Sequence, residues 1–238
     1  MPKFAVYYVP QADDPLYRTG SEILGYDVRT RQSVAQSSLL EEVLGPLSES
    51  WTSQSRPYGL HLTICDALDC QWTTIPQVER ELADLLACFD PARPFLLERK
   101  ELPTVGIWGK ERRRTLVLRY EPNASFRMLH TLLVARLNPL GTGTVYLRRF
   151  LTEPGNELPP HRVQQIRLFS SSTIFEHWRP HFTLLRPYTG QETEAMAARL
   201  TQLFQPYSTI TVATICLLIQ ERDDANWQIY REFSREGI

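Results

Sequence analysis

Apolar and polar positions along this chain switch repeatedly between a strand period of two and a helical period near 3.6. Residues 4–9 are aromatic and β-branched and are closed by Pro10, which predicts a first strand. A short helical pattern over 39–47 stops or kinks at Pro46. Residues 58–64 alternate as a strand. Beyond them Val78, Leu82, Leu85, Leu86 and Phe89 recur at helical spacing behind Thr74, predicting a helix from about 75 to 89. Three strand-like segments follow near 95–101, 103–108 and 115–121, the last two joined as a hairpin by a charged turn at 109–114.

The second half repeats this order. Phe126, Leu129, Leu132, Leu133 and Leu137 share one face of a helix over 123–138, with Asn123 as its cap and Pro139 beyond its end. Residues 141–160, rich in Gly and Pro, read as mostly loop around a short apolar piece at 145–147, and 162–169 as a short helix. A strand over 179–185 precedes an amphipathic helix over 191–204, and the chain closes with strands at 210–219 and 227–233. Both halves thus run strand, helix, antiparallel strands. The expected fold is α+β and bilobal: one domain over 1–238, a pseudo-twofold duplicated unit with antiparallel sheets lining a central cleft and helices outside.

The matching strands carry the candidate chemistry. The first, around 58–65, contains His61-Leu62-Thr63, and the second, around 179–186, contains His181-Phe182-Thr183. On a strand, residues two apart project to the same face, so each motif offers an imidazole and a hydroxyl together. With 5 His and 20 Thr in the chain, the spacing alone is not a rare coincidence. Its force comes from the equivalent places the motifs occupy in the two halves. One imidazole as base, the other as acid and two hydroxyls as donors to phosphate oxygens are the groups that phosphodiester hydrolysis needs, without a metal or cofactor.

Arg179 lies two residues before His181 and is a candidate phosphate ligand if the strand begins that early. Of Tyr7 and Tyr8 only one can face the cleft, as a platform for a base or as core. Arg112, Arg113 and Arg114 at the hairpin tip read as a solvated turn or as contacts to a nucleic-acid backbone. His130, in a helical pattern, and His161, in a Pro-rich segment, read as structural or exposed. His177 and His181 have the spacing of two metal ligands on a helix, but Pro180 between them argues against that helix. No serine-hydrolase elbow, P-loop or dinucleotide fingerprint is present.

Charge and cysteine content narrow the partners. Lys and Arg number 26 against 27 Asp and Glu, a balance that disfavours wrapping extended DNA and suits a small anionic ligand held by a few local arginines. The four cysteines, Cys65, Cys70, Cys88 and Cys216, show no metal-ligand spacing and read as reduced, mostly buried thiols. No apolar run approaches a membrane span or signal peptide, so a cytoplasmic monomer is expected.

With its paired His-x-Thr motifs on strands of two related halves, the chain resembles the two-histidine (2H) phosphoesterases. The resemblance covers most of the chain. It implies a metal-independent cyclic phosphodiesterase with His61 and His181 as acid and base and with Thr63 and Thr183 binding phosphate. It also implies 2′,3′-cyclic phosphates, related RNA ends or 2′,5′ linkages as substrates. Phe4-Ala-Val-Tyr-Tyr-Val-Pro10, Pro15-Leu-Tyr-Arg-Thr-Gly-Ser21, Leu24-Gly-Tyr-Asp27 and Pro57-Tyr-Gly-Leu-His-Leu-Thr63 look like an uncharacterised branch associated with phosphonate degradation. After Thr63, however, Cys65-Asp66-Ala67-Leu68-Asp69 is acidic where that branch continues basic and apolar. Two rival readings stand beside a nucleotide or RNA-end substrate: a small sugar cyclic phosphate from phosphonate breakdown, or a non-catalytic module that only binds nucleotide.

Overall fold

The computed structural model describes residues 1–99, 105–109, 114–152 and 158–234. In chain order, β1 (Lys3–Tyr8) leads to α1 (Pro15–Leu24), the short pair β2 (Tyr26–Asp27) and β3 (Gln32–Ser33), α2 (Ser38–Leu44) and the first motif strand, β4 (Leu62–Asp69). Then come α3 (Ile75–Ala87), β5 (Phe95–Glu98), β6 (Val105–Trp108), β7 (Arg114–Arg119), β8 (Glu121–Pro122) and α4 (Ala124–Leu137). The remainder is β9 (Thr142–Gly143), α5 (Val145–Thr152), α6 (Pro160–Phe169), the second motif strand β10 (His181–Tyr188), α7 (Thr193–Leu203), β11 (Thr209–Val212), β12 (Thr214–Gln220) and β13 (Gln228–Ser234).

The fold is α+β with antiparallel sheets. The main sheet has the order β13-β12-β1-β4-β10-β7-β6, with β9 paired to β4, so the two motif strands are neighbours at its centre. The strands β5 and β11, each of which follows a motif strand and its helix, pair with one another in a second sheet. The hairpin β6–β7 lies beside β10, and the hairpin β12–β13 lies beside β1, which flanks β4. Each half of the chain therefore supplies the hairpin on the other motif's side, and the strands around both motifs form one continuous sheet.

Local chemistry explains most boundaries. Asn123 caps α4, its side chain accepting from the Phe126 N–H at 3.0 Å. The helical stripe of α3 is buried at Val78, Leu82, Leu85 and Leu86. Helix α1, which the hydrophobic pattern alone does not announce, starts on the Asp14 side chain with Pro15 in its first turn and ends at Gly25 with φ 71°. Its Gly20 lies against Leu60, where a Cβ would stand 2.4 Å from a Leu60 methyl, so α1 rests closely on the residue before His61.

Two expectations are corrected. Residues 145–152 are helical rather than loop, because Leu147, Phe150 and Leu151 follow helical spacing inside the Gly- and Pro-rich frame. The stretch 210–219 is two strands: the chain leaves β5 at Val212 and enters the main sheet at Thr214. Arg112 and Arg113 lie outside the described residues. Arg114 is on β7, where its guanidinium donates to the Thr193 hydroxyl. Cys65, Cys70 and Cys216 are buried free thiols and Cys88 is an exposed one.

His130 is a core histidine with both nitrogens engaged. Its Nδ1 donates to the Ile64 carbonyl at 2.6 Å, its Nε2 accepts from the Phe175 N–H at 3.2 Å, and its ring stacks on Trp178 at 4.2 Å. His161, by contrast, is exposed on α6. Burial pushes His130 down from 6.5 to about 4. Above pH 6.5 the folded and unfolded chains both leave this imidazole neutral. As pH falls from there towards about 4, the unfolded chain takes up a proton that the folded chain refuses, so stability falls. For this residue the loss between pH 7 and pH 5 is about 2 kcal/mol. In urea melts His130→Phe should remove about that much of the native protein's pH dependence, and an undiminished dependence contradicts the assignment.

Candidate active site

The central strand pair sets the site. Leu62 of β4 lies opposite Phe182 of β10 in an antiparallel register, and both are fully buried. Continuing that register by one residue on each side sets His61 across from Thr183, and Thr63 across from His181. All four project to the face opposite Leu62 and Phe182, and all four are half-buried between fully buried neighbours. The motifs are crossed, each imidazole standing beside the other motif's hydroxyl.

The two imidazoles are held in the same way. His61 Nδ1 lies 2.9 Å from the Gly59 carbonyl, and His181 Nδ1 lies 2.6 Å from the Arg179 carbonyl, in each case two residues earlier in the chain. A carbonyl only accepts, so each Nδ1 carries the proton and each Nε2 is left with its lone pair. Gly59 adopts φ +65°, and a Cβ there would stand 2.6 Å from Val28 Cβ, so this carbonyl's position requires glycine. Among the described residues neither Nε2 has a protein partner, and neither do the Thr63 and Thr183 hydroxyls. Four groups able to bind or protonate an oxyanion therefore converge uncommitted.

The surroundings of the two histidines differ. His61 stacks on Tyr7, with ring centroids 4.1 Å apart, and on Tyr58 at 5.6 Å. Trp227 stacks on Tyr58 in turn, tethered by its backbone N–H to the Pro57 carbonyl at 2.8 Å. His181 meets the Trp108 ring edge-on at 4.4 Å and feels the positive charges of Arg186 and Arg119. Arg119 is the β7 residue directly opposite it. Burial is the main cause that pushes each imidazole down from 6.5 to about 4, with His181 adding to the effect at His61 and the two arginines at His181.

The other expected residues divide. Tyr7, opposite Thr63, faces the site and is almost wholly buried against His61, whereas Tyr8, opposite Leu62, faces the core and packs on the edge of Phe182. Tyr8 is therefore no site residue, because adjacent strand positions point to opposite faces. Arg179 precedes the strand, which begins at His181, and its exposed guanidinium donates to the carbonyls of Glu176 and Trp178. What it contributes at the site is its backbone carbonyl. The aromatic groups Tyr58, Trp108 and Trp227 and the cations Arg119 and Arg186 were not legible from motif spacing, since only strand register and the final hairpin bring them here.

Two further contacts brace the motif backbone: Trp178 Nε1 donates to the Thr63 carbonyl at 2.9 Å, and His130 takes the carbonyl of Ile64. Among the described residues no group of three or more His, Cys, Asp or Glu side chains is placed to hold a metal ion, and no helix is long and apolar enough to cross a membrane.

The family described as "Protein of unknown function (DUF1045)" matches residues 122–228, a segment that holds the second His-x-Thr motif and not the first. No curated protein matches the chain. Two similar solved structures are of E. coli LigT, one complexed with NADP+ and one in apo form. Each is 13% identical and is covered over 98% of both chains, with TM-scores of 0.43 and 0.39.

Titration of the imidazole nitrogens by NMR should find His61 and His181 as Nδ1–H tautomers at neutral pH, titrating near pH 4. An Nε2–H tautomer at either residue contradicts the hydrogen-bonding scheme.

Proposed function

We propose that the chain is a metal-independent phosphoesterase of the two-histidine type. It hydrolyses a cyclic phosphodiester, a 2′,3′-cyclic nucleotide or an RNA end, by general acid–base catalysis between His61 and His181. The observation that carries this reading is the crossed pairing of two His-x-Thr motifs on adjacent central strands, with both Nε2 atoms and both hydroxyls uncommitted among the described residues. A phosphodiester seated there receives two hydroxyl donors on its non-bridging oxygens, where charge gathers in the transition state. One imidazole stands on each side of phosphorus.

The unlike surroundings support an assignment of the roles. The π faces of Tyr7 and Tyr58 favour a positive charge on the ring stacked against them, so His61 is the acid. Arg186 and Arg119 disfavour a second positive charge beside them, so His181 is the base. His181 Nε2 takes a proton from water, the water oxygen bonds to phosphorus, the ester P–O bond breaks, and the departing oxygen takes a proton from His61.

Phosphate in the site adds negative charge beside the imidazoles and raises both from about 4, so binding takes up a proton near neutrality. Accordingly kcat/KM, which reports the free protein, should fall steadily as pH rises above about 5, while kcat should hold to higher pH.

His61→Ala and His181→Ala should each lower turnover of a 2′,3′-cyclic nucleotide by about 10²–10⁴, and native turnover should persist in EDTA. Replacing the ribose leaving oxygen by a nitrophenolate, which departs without a proton, should restore much of the rate to His61→Ala and none to His181→Ala. The opposite pattern reverses the assignment, and native-like turnover by either variant removes the mechanism.

A further inference from the structure

The strands carrying the motifs share an irregularity just past the threonine. In β4 the register with β1 passes from Tyr7 opposite Thr63 to Val6 opposite Cys65, so Ile64 is an extra residue. In β10 the register with β7 passes from Thr183 opposite Val117 to Leu185 opposite Leu116, so Leu184 is the extra one. All four residues at the two bulges, Ile64, Cys65, Leu184 and Leu185, are buried. The next residue on each strand returns to the face of the histidines: Asp66 on β4 and Arg186 on β10. The two halves thus present opposite charges at equivalent positions, five residues after each histidine.

Among the described residues neither charge is met by an opposite one. Asp66 accepts from the Ser171 and Thr173 hydroxyls through Oδ2 alone. Arg186 is exposed, and among the described residues neither its guanidinium nor that of Arg119 has a hydrogen-bond or ion-pair partner. Other exposed or half-exposed arginines divide: Arg127 pairs with Glu121 and Arg231 with Glu79, whereas Arg80 and Arg167 have no side-chain partner among the described residues. Arg119 also has space made for it: its stem crosses Gly106, where a Cβ would stand 2.7 Å from Arg119 Cδ. At the backbone the two arginines are about four residues, roughly 13 Å, apart along the sheet, a span that two such side chains close around one anion. That point lies one strand spacing, about 5 Å, outward from the gap between β4 and β10 where the reacting phosphorus sits.

We propose that the substrate carries a second phosphate, a monoester, which seats on Arg186 and Arg119. The Asp66 carboxylate at the equivalent place of the other half repels such a group, so the substrate enters in one orientation only. A guanidinium pair suits a phosphate monoester because each offers forked N–H donors to its oxygens. The inference rests on the phosphoesterase reading for the position of the first phosphate, and binding separates the two.

Calorimetry with adenosine 2′-phosphate and adenosine 2′,5′-bisphosphate serves as the test, using native protein and the variants Arg186→Gln, Arg119→Gln and Asp66→Asn. Native protein should bind the bisphosphate at least tenfold more tightly. Arg186→Gln and Arg119→Gln should each cut that ratio several-fold, and together bring it within twofold of unity, while Asp66→Asn should not lower it. Equal binding of the two nucleotides by native protein, or a ratio untouched by the arginine variants, overturns the second-phosphate site. A ratio that collapses in Asp66→Asn overturns the orientation. Loss of turnover on cyclic nucleotides, with the binding ratio intact, fails the phosphoesterase reading and leaves the second site standing.

Discussion

The antiparallel contact between Leu62 and Phe182 is the constraint on which the site depends. Side chains alternate along each strand, so a slip of one residue in this pairing would turn an imidazole and a hydroxyl into the core and bring an apolar ring to the cleft. The register is fixed from both sides. Leu62 and Phe182 are fully buried, with Phe182 against the rings of Tyr8 and Tyr120, and the β4 backbone is tied at Thr63 by Trp178 and at Ile64 by His130. A buried histidine with both nitrogens satisfied thereby positions one of the candidate catalytic residues without touching the cleft. Polar interactions inside the core do here what packing alone does poorly: they specify one alignment out of several with similar apolar contact.

Half-burial of His61 and His181 sets two effects against each other. Desolvation disfavours the imidazolium and keeps both rings neutral at neutral pH. The same low dielectric strengthens any attraction between a proton on these rings and a bound phosphate. In the proposed reaction the anion therefore supplies the condition for its own cleavage, because its negative charge stabilises the charged ring. The carbonyls of Gly59 and Arg179 contribute by fixing which nitrogen faces it.

How much of this was legible in the sequence depended on whether the deciding interaction is local. The cap at Asn123, the apolar stripe of α3 and the alternation around Leu62 and Phe182 are set by neighbours within one turn or one pleat, and they read directly. The helix at Val145–Thr152 did not, because Gly and Pro on either side suggested a loop. Nor did the break between β11 and β12, since the change of sheet at residue 213 is decided by distant partners and not by a turn signal. Asp66 and Arg186 are the clearest case. Five residues is an odd offset, so strict alternation puts both on the face away from the histidines, and only the bulges at Ile64 and Leu184 reverse that parity. A bulge leaves no mark in composition or periodicity.

The paired motifs and the matching bulges give the two halves of the site nearly the same scaffold, and sameness is a difficulty for the chemistry. Acid–base hydrolysis needs one protonated and one neutral ring at the same moment. Two identical half-sites would share the proton equally and accept the substrate in either direction. Every departure from equality in this cleft works against that degeneracy. Stacked aromatic faces lie on one histidine and guanidinium groups near the other, and a carboxylate on one strand matches an arginine on its counterpart. All of these differences sort the same way, with the Asp66 carboxylate on the strand of the proposed acid and the Arg186 guanidinium on the strand of the proposed base. On the proposed reading, a substrate with one charged end is turned so that its leaving oxygen meets His61. In a scaffold of paired halves, direction resides in the side chains that break the pairing.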